Sequence, residues 1–484
     1  MKIYQQCVRC NYVNDVFTFW NIVCCRCSHP LIVWYELDTS TQDLKNMFSG
    51  KTRSLWKYRD VLPRITIDPI TLGEGGTPMH LSKGLGSLLG LRHLYIKNES
   101  TNPTGAFTDR GATLLVSLLY ENNINNLTCI SSGNLGVSLA AYSTTAGISC
   151  KVYFKIGVEQ VKILQALSYN AEIYFTNNLT LTEDILRREV KDASSYIVSS
   201  SNPLLLEGYK TIAYEIMEDL NWSSPDWIIL PVGSGANMTS IWKGIKELEM
   251  LDLLQEKTPR LIGGQIKSCA PIAVSYFKGL EEVEATTLKD VGFPDIADPN
   301  PPWGFTVLKA IRELGGKMVT VSEEEVLHAL KLMAKYEGLL VEPASAVGLA
   351  TLIKSLDEGY IKRDEEIILI ITGSGMKNPS TFQTIYRITN FERVPIGIGE
   401  TKKKILEILS ERPLHGYAIK KILRDRFSID VKLPTIYEHL KDLEERGLVY
   451  SLGVEYLRGK RILKKYMISE LGRRIIREEI NRVS

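Results

Sequence analysis

No apolar run in the 484-residue chain approaches the roughly 20 residues of a membrane-spanning helix. The opening Met1-Lys2-Ile3-Tyr4-Gln5-Gln6 lacks the basic-then-apolar order of a secretory signal. Both absences point to a cytoplasmic protein with no membrane partner. Internal repeats are missing as well. Net charge is small, at +2, but it conceals an asymmetry. Residues 401–484 hold 20 Lys and Arg against 12 Asp and Glu, a balance of +8, which leaves about −6 for the first 400. A basic tail on a mildly acidic body points to a nucleic-acid partner, although a solubilising charged face gives the same count.

Cysteine is sparse after residue 27, because five of the eight lie between Cys7 and Cys27. The pairs Cys7-x-x-Cys10 and Cys24-x-x-Cys27 are 13 residues apart, close to the spacing of a four-cysteine zinc ribbon. Each knuckle turns two thiolates toward one point, and two knuckles complete a tetrahedron. A structural zinc held by Cys7, Cys10, Cys24 and Cys27 is expected, with Cys25 a spare ligand and free thiols or disulfides the alternatives.

A hydrophobic content of 44% and a charged content of 24% are ordinary for a soluble globular chain. The length calls for two or three domains. The division expected is a zinc ribbon over 1–40, a body over 56–390 with a small subdomain at about 95–205, and a winged helix over 401–484. Apolar runs at 94–97, 128–130, 151–154, 227–231 and 367–371 alternate with helical segments, the pattern of a parallel sheet with crossover helices. After a linker at 389–399, the periodicity predicts helices over 402–410, 416–427 and 434–446. A hairpin follows, pairing 448–456 with 462–468, and a final helix begins near Ser469. That order is the order of a winged helix.

Several body motifs occur in one order: Leu72-Gly73-Glu74-Gly75-Gly76-Thr77-Pro78, Asn102-Pro103-Thr104-Gly105-Ala106-Phe107-Thr108-Asp109-Arg110-Gly111, Ser131-Ser132-Gly133-Asn134, Gly233-Ser234-Gly235-Ala236-Asn237 and Thr372-Gly373-Ser374-Gly375. Glu207-Gly208-Tyr209-Lys210-Thr211 and Glu342-Pro343-Ala344-Ser345-Ala346 fit the same series. Together they resemble the threonine synthases of the fold-type II family dependent on pyridoxal phosphate (PLP). The resemblance implies an α/β body of two parallel-sheet subdomains, in addition to the small ribbon and the winged helix. It places Phe107, Asn134, Gly233, Ser234, Gly235, Ala236, Asn237 and Thr372 at the cofactor. Asn134 is implied to face the phenolic oxygen and Thr372 the pyridine nitrogen. The Gly233–Asn237 loop opens a helix, where backbone N–H groups can close around a phosphate. Ser131, Ser132, Gly133, Asn134 and Leu135 are implied to meet a substrate or effector.

The resemblance also exposes an absence. The family motif reads N-P-T-G-S-F-K-D-R-G, and its lysine forms the Schiff base with PLP, whereas here Thr108 stands in that place. A hydroxyl cannot form an imine. Other departures gather where the family holds its substrate's phosphate: Leu135, Ser199, Leu205 and Ser234. Leucine for arginine at 205 removes a charge and a bidentate donor. Rescue by another lysine, Lys97, is the alternative reading of Thr108.

Segments 409–420, 434–440, 443–449 and 465–473 resemble the PadR group of winged-helix transcription regulators. Apolar Ile436, Leu440 and Leu443 share one helix face and are expected in the core. Lys432, Thr435, Tyr437, His439 and Lys441 are the residues expected toward a double-stranded DNA groove, with Arg458, Lys460 and Arg461 at the hairpin tip. A winged helix used only for protein contacts is the alternative. The whole is read as a homodimeric regulator sensing an amino-acid-like ligand, with PLP held noncovalently or absent. The competing readings are a working PLP-dependent threonine synthase-like lyase, and a structural partner of a catalytic paralogue.

Overall fold

Consecutive apolar residues in a strand demand cover on both faces, and those at 227–231 and 367–371 obtain it. In the computed structural model they are the central strands of a six-stranded sheet. The structure describes residues 2–36 except 16 and 21, 45, 48, 51–385 except 190–193, 255–256 and 288–291, and 399–473 except 446–447, 458–460 and 470–471. These divide into two units, Met1–Ile385 and Tyr386–Ser484. The expected linker lies outside the described residues apart from Gly399, as does most of the expected final helix.

In the first unit, β1 (Lys2–Cys7), β2 (Val13–Asn14) and β3 (Leu31–Glu36) form an antiparallel ribbon in the order β2-β1-β3. The body adds β4 (Met79–Leu81), β5 (His93–Asn98), β6 (Asn126–Ser131), β7 (Ser149–Lys155), β8 (Glu172–Thr176) and β9 (Ser195–Val198). It continues with β10 (Trp227–Pro231), β11 (Arg260–Ile266), β12 (Lys317–Val321) and β13 (Glu366–Ile371). The larger sheet runs β12-β11-β10-β13-β5-β4, parallel except for the edge strand β4. The smaller one, β8-β7-β6-β9, is parallel throughout. Ile228, Leu230, Ile368 and Ile370 enter one hydrophobic core, and Trp227, Ile229, Ile367, Leu369 and Ile371 enter another. That partition follows the period of two in a strand.

The helix Asp109–Glu121 starts at Thr108 and is buried along most of its length. It lies against the helix Pro203–Tyr209 at a separation only glycine permits, since a Cβ on Gly208 would sit 1.9 Å from the Arg110 carbonyl oxygen. Arg110 is fully buried and binds both oxygens of Glu99, at 2.6 and 2.8 Å. It also binds both oxygens of Glu215, again at 2.6 and 2.8 Å. Lys97 adds a 2.8 Å bond to Glu215 and another to the Thr77 carbonyl oxygen. Burial alone would raise the Glu215 pKa, but Arg110 and Lys97 hold it well below the carboxylate range.

A second buried cluster joins the ribbon to the body. The Tyr35 hydroxyl on β3 donates to Glu207 at 2.5 Å, beside Lys210, Lys243 and Glu247. Tyr196 on β9 donates to the Phe19 carbonyl oxygen at 2.8 Å, so the ribbon also touches the smaller layer.

The second unit contains helices Glu400–Glu411, Gly416–Phe427 and Leu433–Glu445, then β15 (Val449–Leu457) and β16 (Arg461–Ile468). A two-residue strand, β14 (Leu414–His415), precedes the second helix and pairs with β16. Sequence periodicity cannot reveal so short a strand. His415 caps the second helix by accepting from the Ala418 N–H at 3.1 Å. Ile405, Leu409, Ile419, Leu423, Ile436, Leu440 and Leu443 build the core of this unit, the last three as the helical pattern requires.

Breaking one side of a buried ion network leaves the partner charges unpaired. Arg110→Met is expected to cost about 3–5 kcal/mol of stability, read from denaturant unfolding at neutral pH. The Glu215 contribution is complete above the ordinary carboxylate pKa of 4.5 and disappears as pH falls through the depressed native value.

Candidate functional site

Between the two sheets lies a cavity of about 830 Å³. The C-terminal ends of β6, β10 and β13 feed it, as parallel sheets arrange. Its wall contains Phe107, Thr108, Ser131, Ser132, Gly133, Asn134, Leu135, Gly233, Ser234, Gly235, Ala236, Asn237 and Thr372. Thus the residues expected at one site come together from four separate loops, with one exception. Leu205 is fully buried in the helix Pro203–Tyr209 and is not part of the wall. That whole helix packs into the core, so its residue 205 side chain fills hydrophobic space rather than facing a ligand.

Thr108 has φ −60° and ψ −20°, an unstrained helical conformation. Its hydroxyl is 2.7 Å from that of Ser138, which lies 3.2 Å from the Thr104 hydroxyl. Thr104 in turn donates to Asp109 at 2.6 Å. The loop is pinned to the larger sheet by the Phe107 N–H, which donates to the Thr372 carbonyl oxygen at 2.9 Å. Lys97 does not reach this wall: its amine is spent on Glu215 and the Thr77 carbonyl oxygen. The rescue envisaged for it is therefore corrected, because β5 turns Lys97 into the ion network.

The glycine loop after β10 has the form of an anion cradle. Gly235 sits at φ +86°, and a Cβ there would come within 2.9 Å of Val307. The loop leads into the helix Ala236–Met250, whose N-terminus favours negative charge. Asn237, in the first turn, is buried at 7% exposure and neither atom of its amide has a partner. Such an orphaned amide in a cavity wall is a ready ligand contact. The Asn134 amide oxygen is likewise buried and unpartnered.

The cavity also holds residues absent from the sequence-derived set. Glu342 accepts from Asn134 and from the Thr372 hydroxyl, each at 2.8 Å. Lys162 is paired with Asp295, which accepts from Asn378 at 2.8 Å. Behind the wall, Lys377 is buried and donates to the Thr104 carbonyl oxygen at 2.9 Å. Burial pushes its ammonium down to about 8. The ribbon contributes Val23, Ser28, His29 and Pro30, with the His29 ring 5.2 Å from that of Phe305. No local motif marks these residues; only Glu342, directly before a helix-starting proline, carried a positional signal.

The sulfur atoms of Cys7, Cys10, Cys24 and Cys27 lie within 4.8 Å of one another. Pairs such as Cys7–Cys27 at 3.4 Å and Cys10–Cys24 at 3.5 Å are near the roughly 3.8 Å edge of a zinc tetrathiolate with 2.3 Å bonds. The donor set therefore fits a closed metal site, and Cys25 stands outside it.

In the second unit Lys432 and Lys441 are exposed, and Thr435 and His439 are half-buried. Tyr437 turns inward: its ring packs on the core, and a Gly416 Cβ would lie 2.7 Å from it. It is half-buried, as Thr435 and His439 are. Arg458 and Lys460 fall outside the described residues.

Residues 70–373 match the family described as pyridoxal-phosphate dependent enzyme, and residues 405–478 match the transcriptional regulator PadR-like family. Threonine synthase of Methanocaldococcus jannaschii is 37% identical over 383 residues, covering 78% of this chain and 93% of that relative. Threonine synthase of Methanosarcina acetivorans is 35% identical, over 78% of this chain and 92% of that protein. Among solved structures, threonine deaminase isoform 2 of Solanum lycopersicum matches with a TM-score of 0.54 at 20% identity, covering 65% of this chain and 88% of that one. L-serine ammonia-lyase of Rhizomucor miehei matches at 0.55 and 18%, over 64% and 97%. The structural likeness is one of fold, in the fold-type II arrangement.

The Lys377 amine gives a pH signature. Between its native pKa of about 8 and its ordinary 10.5, the unfolded chain holds the extra proton, so stability rises with pH across that window. Lys377→Met is expected to flatten that rise and to increase stability at neutral pH by about 1–3 kcal/mol, measured by denaturant unfolding from pH 7 to 10. The Thr104 carbonyl oxygen keeps Gln165 as a donor at 3.3 Å.

Proposed function

The chain belongs to the pyridoxal-phosphate-dependent enzyme family and carries a PadR-like domain at its C-terminus, and from that membership we propose that it is a ligand-responsive DNA-binding regulator. Its sensor is a threonine synthase-like body without the Schiff-base lysine. The observation that carries this reading is Thr108, a buried hydroxyl bonded to Ser138 at the cavity wall where the family motif has its amine. Replacing lysine there removes the covalent anchor and the nearest general base together.

The cradle fits PLP through its left-handed glycine and its orphaned Asn237 amide. Gly233 to Asn237 would hold the phosphate, Asn134 and Thr372 the ring, and Phe107 would pack beside it, all without a covalent bond. When bound, the cofactor supplies an electron sink for bond-breaking at an amino acid. Ser131 to Leu135 would take the carboxylate of an amino-acid-like effector. Cys7, Cys10, Cys24 and Cys27 would hold a structural zinc. In the PadR-like unit, Lys432, Thr435, His439 and Lys441 would meet double-stranded DNA as part of a cytoplasmic homodimer, with Arg458, Lys460 and Arg461 on its phosphates. Ligand and DNA binding are then coupled as free energies.

An active threonine synthase is the second reading, favoured by 37% identity across 93% of the Methanocaldococcus jannaschii enzyme. The two readings part at residue 108. PLP bound to the native chain should stay removable by dialysis after borohydride treatment, whereas Thr108→Lys, accommodated by the helical backbone, should fix it covalently. Covalent fixation by the native chain would sink the regulator reading.

The DNA half is tested with genomic fragments in a gel-shift assay. Binding should weaken steeply with salt, and Lys432→Ala and Lys441→Ala should each lower affinity several-fold and reduce the salt slope by about one. Binding indifferent to PLP and to every amino acid would rule out sensing.

A further inference from the structure

We propose that Glu342 is a built-in competitor for the ring-binding donors of the cavity, so that a ligand ring gains Asn134 and Thr372 only by displacing this carboxylate. The inference rests on the reading that PLP occupies this site, and it adds the residue that sets how tightly.

Glu342 is held firmly in place. Its N–H donates to the Gly373 carbonyl oxygen at 3.0 Å, the adjoining Val341 bridges Ser374, and Pro343 begins a helix. The side chain is 3% exposed and lines the cavity. One carboxylate oxygen accepts from Asn134 at 2.8 Å and the other from the Thr372 hydroxyl at 2.8 Å. Space is made for it: a Cβ on Gly373 would lie 2.7 Å from the carboxyl carbon.

The Thr372 proton is committed. The Ser345 hydroxyl oxygen already accepts the N–H groups of Thr372 and Gly373, at 2.9 and 3.1 Å. It can then only donate, to the Thr372 oxygen 2.9 Å away or the Gly373 carbonyl oxygen 3.4 Å away, which leaves the single Thr372 proton for Glu342. A 3-hydroxypyridine offers two acceptors, the ring nitrogen and the phenolic oxygen. A carboxylate offers two as well, and one hydroxyl proton cannot serve both at once. Asn134 leads the helix after β6 in the smaller sheet, and Thr372 follows β13 in the larger one. The Glu342 bridge thus fastens the two layers across the cavity, and a ring that takes its place inherits that fastening.

The test titrates PLP into the full-length native chain, Glu342→Ala and Glu342→Gln, following tryptophan quenching and equilibrium dialysis. Circular dichroism checks that each chain is folded. Freeing the donors should tighten PLP binding roughly tenfold in Glu342→Ala, the gain expected if about nine-tenths of the molecules otherwise hold the Glu342 bridge. Glu342→Gln, which keeps one acceptor, should fall between. Inorganic phosphate, which needs only the glycine cradle, should bind all three chains alike. Unchanged or weaker PLP binding in both variants would overturn the role of Glu342 while leaving PLP as a ligand. Failure of all three chains to bind PLP would overturn both readings.

Discussion

A guanidinium taken wholly out of water has to be answered by charge, and Arg110 is answered by Glu99 and Glu215 together. Those carboxylates come from the end of β5 and from the helix Thr211–Asp219, so one side chain fixes three segments at once. The same residue lies in the first turn of the helix that begins at Thr108. Its anchoring, with the close approach at Gly208, determines where residue 108 points. The cavity wall is therefore placed by an ion network that never touches it. That arrangement holds the backbone at residue 108 in an ordinary helical conformation.

Much of this architecture is legible from the chain itself, for identifiable reasons. Apolar runs such as 227–231 and 367–371 have one stable solution, a parallel strand covered on both sides. The three helices of the second unit fall within two residues of their expected limits, because Ile436, Leu440 and Leu443 leave only one face to bury. Cysteine spacing likewise brought four thiols to one point. What local pattern could not supply is direction over long distances. Leu205 sits in a motif associated with ligand binding, but the burial of an entire helix turns it into core. Tyr437 shares a helix with the groove-facing candidates, and its ring also lies against Gly416. Glu342 is more than 200 residues from Asn134, and nothing between them announces that they meet.

On the regulator reading, the scaffold keeps its means of binding while its chemistry changes. Backbone groups at Gly233–Asn237 and the donors Asn134 and Thr372 do not depend on a particular residue at 108. A hydroxyl there is itself satisfied by Ser138 and so imposes little strain. On that reading a hydroxyl in place of the family motif's lysine is structurally mild and chemically decisive.

The ribbon is woven into this body rather than appended to it. Tyr35 covers the cluster of Glu207, Lys210, Lys243 and Glu247, and His29 and Pro30 stand in the cavity wall. The ribbon leaves the ribosome before the body does, and the charges it covers are synthesised some 170 to 210 residues later. At about 5–20 residues per second, that interval is on the order of 10–40 s. For that time the ribbon must hold its shape on its own, and four thiolates closing on one metal ion provide a way to do so. With a metal bound, the cysteine cluster would have a temporal role, keeping the earlier-made segment ready until the partner that needs it exists.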